Sequence, residues 1–447
     1  MPDDLLVGVD VGTTSIKALA VTPGGAVVGS ATRETPWRHR GPNSDIDPRL
    51  LAETVMAVCA DAAANVDVAA PVRAIGITGI AESGVLLDSA GEPCAPALAW
   101  YDPRGLSAPV KEVISGRDFQ RATGRRLNSK PSIAKIAWLQ RNVPSATSAV
   151  RHLCIAEWIV RALGGEEVSE ASLASRTGLI DLATRSSLPQ AAEVVGDLLP
   201  ATRIWAGDPA GSARGDIPDV LRGATLTVAG LDHQAAVLIS GAARDGALFD
   251  SMGTAEALIR TVAQPLDADA IEWLTDRDID VDWSVLPDHQ ILLAGRLTGL
   301  SLERVAAMLG ATDRATRRRL GEDALAIEQP DDGPRLVEVG NDGLTLAGIT
   351  DGVTPALVWR CVVEDLTDLA GTALEQMAHV VEAHSHAVLA GGWSRNPMVA
   401  EAKRRQLGDY RASDLQEPGA LGAAFLGGVA AGLLERPGDD GVPNWTV

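Results

Sequence analysis

Two stretches of this chain share one plan, and that repetition constrains the fold more than any other feature. The first is LLVGVDVGTTSIKALAV, beginning at Leu5; the second is GALFDSMGTAEALIRTV, beginning at Gly246. Each reads as a short apolar strand, a small polar turn containing Gly-Thr, and a second strand. Two such hairpins, one in each half of the chain, point to an internal duplication that sets two turns opposite each other across a cleft. Strand and helix patterns alternate between and beyond them, which predicts an α/β class. The expected division is residues 1–240 and residues 241–447.

The turns carry chemistry of their own. Gly12 has no Cβ, so the backbone there can approach a ligand closely. Thr13, Thr14 and Ser15 offer hydroxyls and N–H groups to one point, as an anion site requires. Asp10 repels a bare phosphate but suits a hydrated Mg²⁺ that bridges to one. An ordinary polar hairpin is the alternative. No GxxxxGK[ST] follows a strand, so a P-loop enzyme is excluded.

The formal charge of −20 argues against nucleic-acid or anionic-membrane partners, which such a surface repels. The run from Gly419 to Leu434 is too short to span a bilayer and reads as a close-packed core helix. The four cysteines are widely spaced, with no CxxC pair, so a reducing cytoplasm is expected and a zinc site is not. Met1 leads straight toward a strand without a basic n-region, so a signal peptide is not expected. The acidic stretch PLDADAIEWLTDRDIDVDW reads either as a solvated excursion or as a helix with a polar face. GVLLDSAGEPCAPALAW is expected to form a hairpin turning at Ser89 to Pro93.

In order and spacing, GVDVGTTSIKALAV, GITGIAESGVLLDSAGEPCAPALAWYDPR, AGLDHQAAVL, DSMGTAEAL, TGLSLERVAAMLG and LAGGWSRNPM…EPGALGAAFLGGVAAG resemble the FGGY carbohydrate kinases. That family lies within the actin-like, sugar-kinase ATPase superfamily. The resemblance implies two ribonuclease H-like domains flanking an ATP cleft. It also implies transfer of the γ-phosphoryl group of MgATP to a sugar, ketose or polyol hydroxyl. Such transfer needs positioning, charge neutralisation and a base near the attacking hydroxyl.

Carried onto this chain, the resemblance makes Asp232 the general base; a helix N-cap is the other reading of an aspartate there. Thr13, Thr14 and Ser15 would meet the phosphates, with Gly253 and Thr254 gripping them from the second half and Asp10 at the Mg²⁺. Gly299 and Gly392 would lie against adenine and ribose, with Glu303 and Asn396 beside them. Glu82, Asp102, Asp232 and His233 would contact the sugar. Asp102 also reads as a structural partner of Arg104, and Trp100 as either a stacking wall or a core residue. Lys17 reads equally as a ligand contact or a surface lysine. Glu82 is expected to leave no buried partner unpaired when removed. The AESG run at Ala81 departs from the Gln-Met-His-Gly of xylulokinase-like members and keeps only the Glu of the Arg-Glu pair of glycerol kinases. The LDHQAA and GTAEAL turns look closer to the fuculokinase-like and gluconokinase-like branches, so which sugar or polyol stays open. The resemblance also allows a homodimer. A catalytically silent sugar sensor or nucleotide-dependent scaffold of the same fold is the rival reading; neither needs a base at Asp232.

Overall fold

The computed structural model describes residues 4–66, 70–328, 333–340 and 343–438. Its core is a pair of mixed sheets. The first contains β1 (Leu5–Val11), β2 (Ser15–Val21), β3 (Val27–Glu34), β4 (Val72–Gly79) and β5 (Thr225–Leu231), in the order β5-β4-β1-β2-β3. The second contains β6 (Ala247–Met252), β7 (Glu256–Val262), β8 (Ile279–Trp283), β9 (Gln290–Arg296), β10 (His386–Ala390) and β11 (Arg411–Ala412), in the order β8-β9-β7-β6-β10-β11. Without β8, the two sheets have the same topology. In each, the first strand pairs antiparallel with the second and the second antiparallel with the third. Each first strand also pairs parallel with a later strand, and that one with another. The duplication legible in the two Gly-Thr hairpins is therefore a duplication of whole sheets. β1 and β4 read as near-continuous apolar runs because both faces are covered.

Five helices position the site: α1 (Gly116–Thr123), α2 (Asp232–Ile239), α3 (Ala268–Thr275), α4 (Thr298–Met308) and α5 (Pro418–Ala430). α5, the last of the described helices, crosses back onto the first sheet. It approaches so closely that a Cβ on Gly8 would lie 1.9 Å from the Ala420 carbonyl oxygen, and one on Gly76 would lie 1.8 Å from that of Ala423. Glycines on adjacent central strands thus make the groove that accepts the Gly- and Ala-rich helix, as its composition predicts. Residues 419–428 are all buried.

One expectation is refined and one changes. The hairpin around Ser89 to Pro93 closes through the antiparallel Leu87–Pro93 bridge and the Cys94 N–H, which donates to the Leu86 carbonyl at 2.9 Å, but strand Gly84–Leu87 makes its full antiparallel ladder with Arg151–Cys154. Within the turn the Asp88 N–H donates to the Glu92 carbonyl at 2.9 Å, and the returning strand Ala97–Leu98 joins Asn43–Ile46. The acidic stretch is not a solvated excursion. It forms α3 and β8, and its carboxylates meet arginines of the first half: Arg121 with Asp269 and Glu272, Arg126 with Asp278, and Arg125 and Arg176 with Asp280 and Asp282. Among the described residues the four cysteines are unpaired, and no helix is long and apolar enough to cross a membrane.

Candidate active site

The first turn is anchored from behind. Thr35 Oγ1 donates to the Gly12 carbonyl at 2.8 Å, Trp37 Nε1 to that of Thr13 at 2.7 Å, and the Thr35 N–H to that of Thr14 at 3.0 Å. Three successive carbonyls, the atoms that would repel a phosphate, are therefore already engaged. Trp100 Nε1 donates to Thr13 Oγ1 at 2.9 Å, which leaves the hydroxyl proton of Thr13 to be given to a ligand. Thr14 is exposed at the tip. Trp100, read from sequence as wall or core, thus ties the turn to the loop carrying Lys130, whose Nζ lies 5.9 Å from its ring centroid. Lys135, which carries no motif signal in the sequence, fixes that loop. Its buried Nζ donates to the carbonyls of Trp100, Ser129 and Lys130 at 3.1, 3.2 and 2.5 Å.

At the foot of the turn stand two carboxylates from different strand ends. Asp10 is the penultimate residue of β1, and Asp232 opens α2 directly after β5. Burial, and then the Asp232 charge, push the Asp10 carboxyl up to about 8. Asp10 Oδ1 is shielded from solvent and has no hydrogen-bond partner. A Cβ on Gly419 would lie 2.5 Å from Asp10 Oδ2, so the glycine at the start of α5 leaves this carboxylate its space. Lys17, opposite Asp10 on β2, pairs with Glu417 at 2.7 Å. An orphaned buried carboxylate oxygen beside a second carboxylate fits a hard divalent cation. Mg²⁺ is held by one or two carboxylates, with water and phosphate completing its shell.

The strand end that presents Asp232 is fixed by two hydroxyls. Thr78 Oγ1 donates to the Gly230 carbonyl at 2.7 Å, and the Leu231 N–H donates to Ser172 Oγ at 3.0 Å. Gly230 has φ 77°, a left-handed bend that its lack of a Cβ permits. Asp232 is not the N-cap, a position held by Leu231; its Oδ1 accepts the adjacent His233 N–H at 2.7 Å and no other hydrogen bond among the described residues. The His233 side chain is 56% exposed.

The second turn, Gly253 and Thr254, is exposed, as Thr14 is in the otherwise half-buried first turn. Beneath it lies a buried triad that no sequence motif announces. Lys403 pairs with Asp250 at 2.8 Å and with Glu256, and Thr298 also bonds Glu256. Asp250 and Glu256 flank the turn itself, six positions apart, whereas Thr298 and Lys403 reach them only through the fold. Gly299 is placed by the turn itself, since a Cβ there would lie 1.8 Å from the Gly253 carbonyl oxygen. Gly392 is exposed with open space around it.

Four residues expected at ligands have protein partners. Asn396 is buried and caps helix Pro397–Leu407, accepting from the Met398 N–H at 3.1 Å. Glu303 pairs with Arg317. Asp102, with its side chain fully buried, binds Arg104 at 2.7 Å and the Ser44 N–H at 2.7 Å, so the structural-partner reading applies. Glu82 requires a correction. It is buried, has φ 56°, and pairs with Arg176 at 2.5 Å and Arg125 at 3.1 Å. Burial would raise its pKa, but the two guanidiniums outweigh burial and hold it below the usual range. Its carboxylate is thus engaged by protein cations, and without it Arg125 and Arg176 still pair with Asp280 and Asp282, as expected.

Residues 5–203 match the sequence model of the N-terminal domain of the FGGY family of carbohydrate kinases. A glycerol kinase of Gloeobacter violaceus is 28% identical over 452 residues, covering 96% of this chain and 88% of that protein. An L-fuculokinase of Salmonella typhi is 26% identical, covering 98% of this chain and 94% of its own. The crystal structure of a xylulose kinase from Rhodospirillum rubrum superposes with a TM-score of 0.85 at 21% identity, covering 99% of this chain and 92% of that one, which shows the shared two-domain actin-like fold. The duplicated sheets, the paired Gly-Thr turns and the sequence match over residues 5–203 converge on one likeness: the first half of this chain is similar to the N-terminal domain of the FGGY carbohydrate kinases, and nearly the whole chain to glycerol kinases and an L-fuculokinase.

Proposed function

We propose that this chain transfers the γ-phosphoryl group of ATP to a hydroxyl of a small sugar, ketose or polyol. The observation that carries the reading is the register of β1 and β5 on either side of β4, Asp10 opposite Thr78 and Leu231 opposite Gly79, which sets Asp10 and Asp232 at the same end of one sheet, at the foot of the Thr13 turn. A divalent cation held by Asp10 would supply charge neutralisation for the nucleotide phosphates. Thr13, Thr14 and Ser15 then orient those phosphates from one sheet, and Gly253 and Thr254 from the other. The acceptor hydroxyl loses its proton to an Asp232 carboxylate oxygen as its oxygen bonds to the γ-phosphorus. The bond from that phosphorus to the bridging oxygen breaks, and ADP leaves with the electron pair. Asp232, whose one hydrogen bond among the described residues comes from the neighbouring N–H, has acceptor capacity left for that proton.

The loop held by Lys135, with Trp100 and Lys130, lies against the Thr13 turn and gives the acceptor a wall. His233 stands next to the base and can reach a neighbouring hydroxyl. Glu82 then shapes the floor of the site through its arginines and does not bond the acceptor directly. The unpaired cysteines fit a reducing, cytoplasmic setting. The test is a coupled ADP-release screen of the purified protein against polyols, ketoses and aldonic acids, with Asp232→Asn in parallel. At least one acceptor is expected to raise ADP release, and the variant to lower that rate roughly 10²–10⁴-fold while still binding nucleotide. No acceptor-dependent ADP release, or a variant within a few-fold of the parent, would overturn the reading.

A further inference from the structure

A cavity of about 280 Å³ opens on the first half, lined by residues that belong neither to the two Gly-Thr turns nor to the Asp10–Asp232 pair. Its walls carry two indoles, Trp205 and Trp283, with ring centroids 5.7 Å apart at 78°. Two arginines, Arg185 and Arg203, complete the lining, with Thr184 and Ser169. No carboxylate lines it, in a chain of formal charge −20. Arg203 is bonded to the Pro200 carbonyl and, at 3.4 Å, to Ser187 Oγ. Arg185 has no ion pair among the described residues; its guanidinium lies 4.5 Å from the Trp205 ring centroid and 5.4 Å from that of Trp283.

Two further features mark the cavity as built. Ser169, 1% exposed, has a hydroxyl with no hydrogen-bond partner, and it is one of the lining residues. A buried hydroxyl without a partner carries a cost that a ligand oxygen would remove. Arg185 has φ 56°, a left-handed conformation that non-glycine residues rarely adopt. The tight turn between the bridged residues Ile180 and Ser187 thereby sets this side chain over the indoles.

We propose that this cavity binds a phosphorylated sugar or polyol as a second small-molecule site. The phosphate lies between Arg185 and Arg203, the carbon face of the sugar lies on Trp205 and Trp283, and a hydroxyl meets Ser169 Oγ. An exposed cation–π contact is weaker than a charge-assisted hydrogen bond to phosphate, so the ligand draws the Arg185 guanidinium off the indoles. The site goes beyond the kinase reading and does not depend on it, because none of its residues handles ATP or the acceptor.

Glucose 6-phosphate, glucose and inorganic phosphate serve as probes, each titrated into the intact protein by calorimetry and by indole fluorescence. Glucose 6-phosphate is expected to bind and change the fluorescence, and glucose to do neither. Arg185→Gln and Arg203→Gln should each weaken that binding roughly 10-fold or more, the loss of one charge-assisted contact. Arg185 lies on an exposed loop, so its variant is expected to keep the fold and the nucleotide affinity of the parent. Binding unchanged in both variants, or absent at millimolar probe, would overturn the site. Inorganic phosphate bound as tightly as glucose 6-phosphate would overturn the part assigned to the indoles.

Discussion

Asp10 keeps its proton to about pH 8 because burial, and then the Asp232 charge, penalise the ionised form. The sign of the resulting pH dependence follows from linkage. The folded pKa lies above the ordinary 3.8, so between those two values the folded chain holds a proton that the unfolded chain releases. The contribution of this group to stability is therefore largest at acid pH and is lost as pH rises toward about 8. Thermal melts in chelator should show Asp10→Asn losing less stability than the parent between pH 5 and pH 8. Parallel pH profiles for the two proteins would contradict the assignment. The importance of Asp10 was legible in sequence, since an aspartate interrupts an apolar strand just before a Gly-Thr turn. Its neighbour was not, because Asp232 is 222 residues away in the chain and reaches Asp10 only through the parallel pairing of β1, β4 and β5.

At the scale of elements, the contact of α5 with the first sheet is the most exacting. Gly76→Ala would place a Cβ 1.8 Å from a backbone oxygen of α5, and neither backbone can yield without moving its element. A loss of about 1–3 kcal/mol or more is expected in urea unfolding. Gly116, where an added Cβ would meet nothing within 4 Å, is the control, and Gly116→Ala should be neutral or slightly stabilising. A Gly76→Ala protein as stable as the parent would mean that α5 does not dock as described. The strand–turn–strand units, helix Ser132–Asn142 and the C-terminal helix are readable from periodicity and Gly/Pro punctuation. The partner of Gly84–Leu87 is not, because a short apolar strand can pair with any edge, and the fold offers Arg151–Cys154.

Across the whole molecule, the two halves are joined through a buried ion network. Arg125 and Arg176 from the first half share Glu82, Asp280 and Asp282. Removing Glu82 takes a charge-assisted partner from both arginines, which keep Asp280 and Asp282, and forfeits about 1.5–3 kcal/mol per bond. Glu82→Ala should therefore lower the melting temperature by several degrees, as seen by probes in both halves. The exposed pairs of α1 with α3, such as Arg121 with Asp269, are open to screening by salt, whereas the buried network is shielded. Moderate salt should thus leave the Glu82→Ala deficit in place. A variant melting like the parent would show that Glu82 is not part of the structural joint and would return it to the acceptor site.

Sequence by itself determined the α/β class, the duplication, the two Gly-Thr turns, the helix of small residues at Pro418–Ala430, and the resemblance to the FGGY carbohydrate kinases. These are local or periodic signals: a strand, a turn residue or an apolar face is written within a dozen positions. Tertiary structure alone decided which charges meet. It turned the acidic stretch from a candidate solvated excursion into the partner of α1 and Arg176, and it placed Lys403 under the second turn. It also engaged Glu82 and Asp102 with arginines and brought Asp10 beside Asp232. An ionic side chain carries no mark in sequence of what will face it. Its partner is set by sheet order and helix crossing, and burial decides whether the pair is a solvated contact or a structural joint.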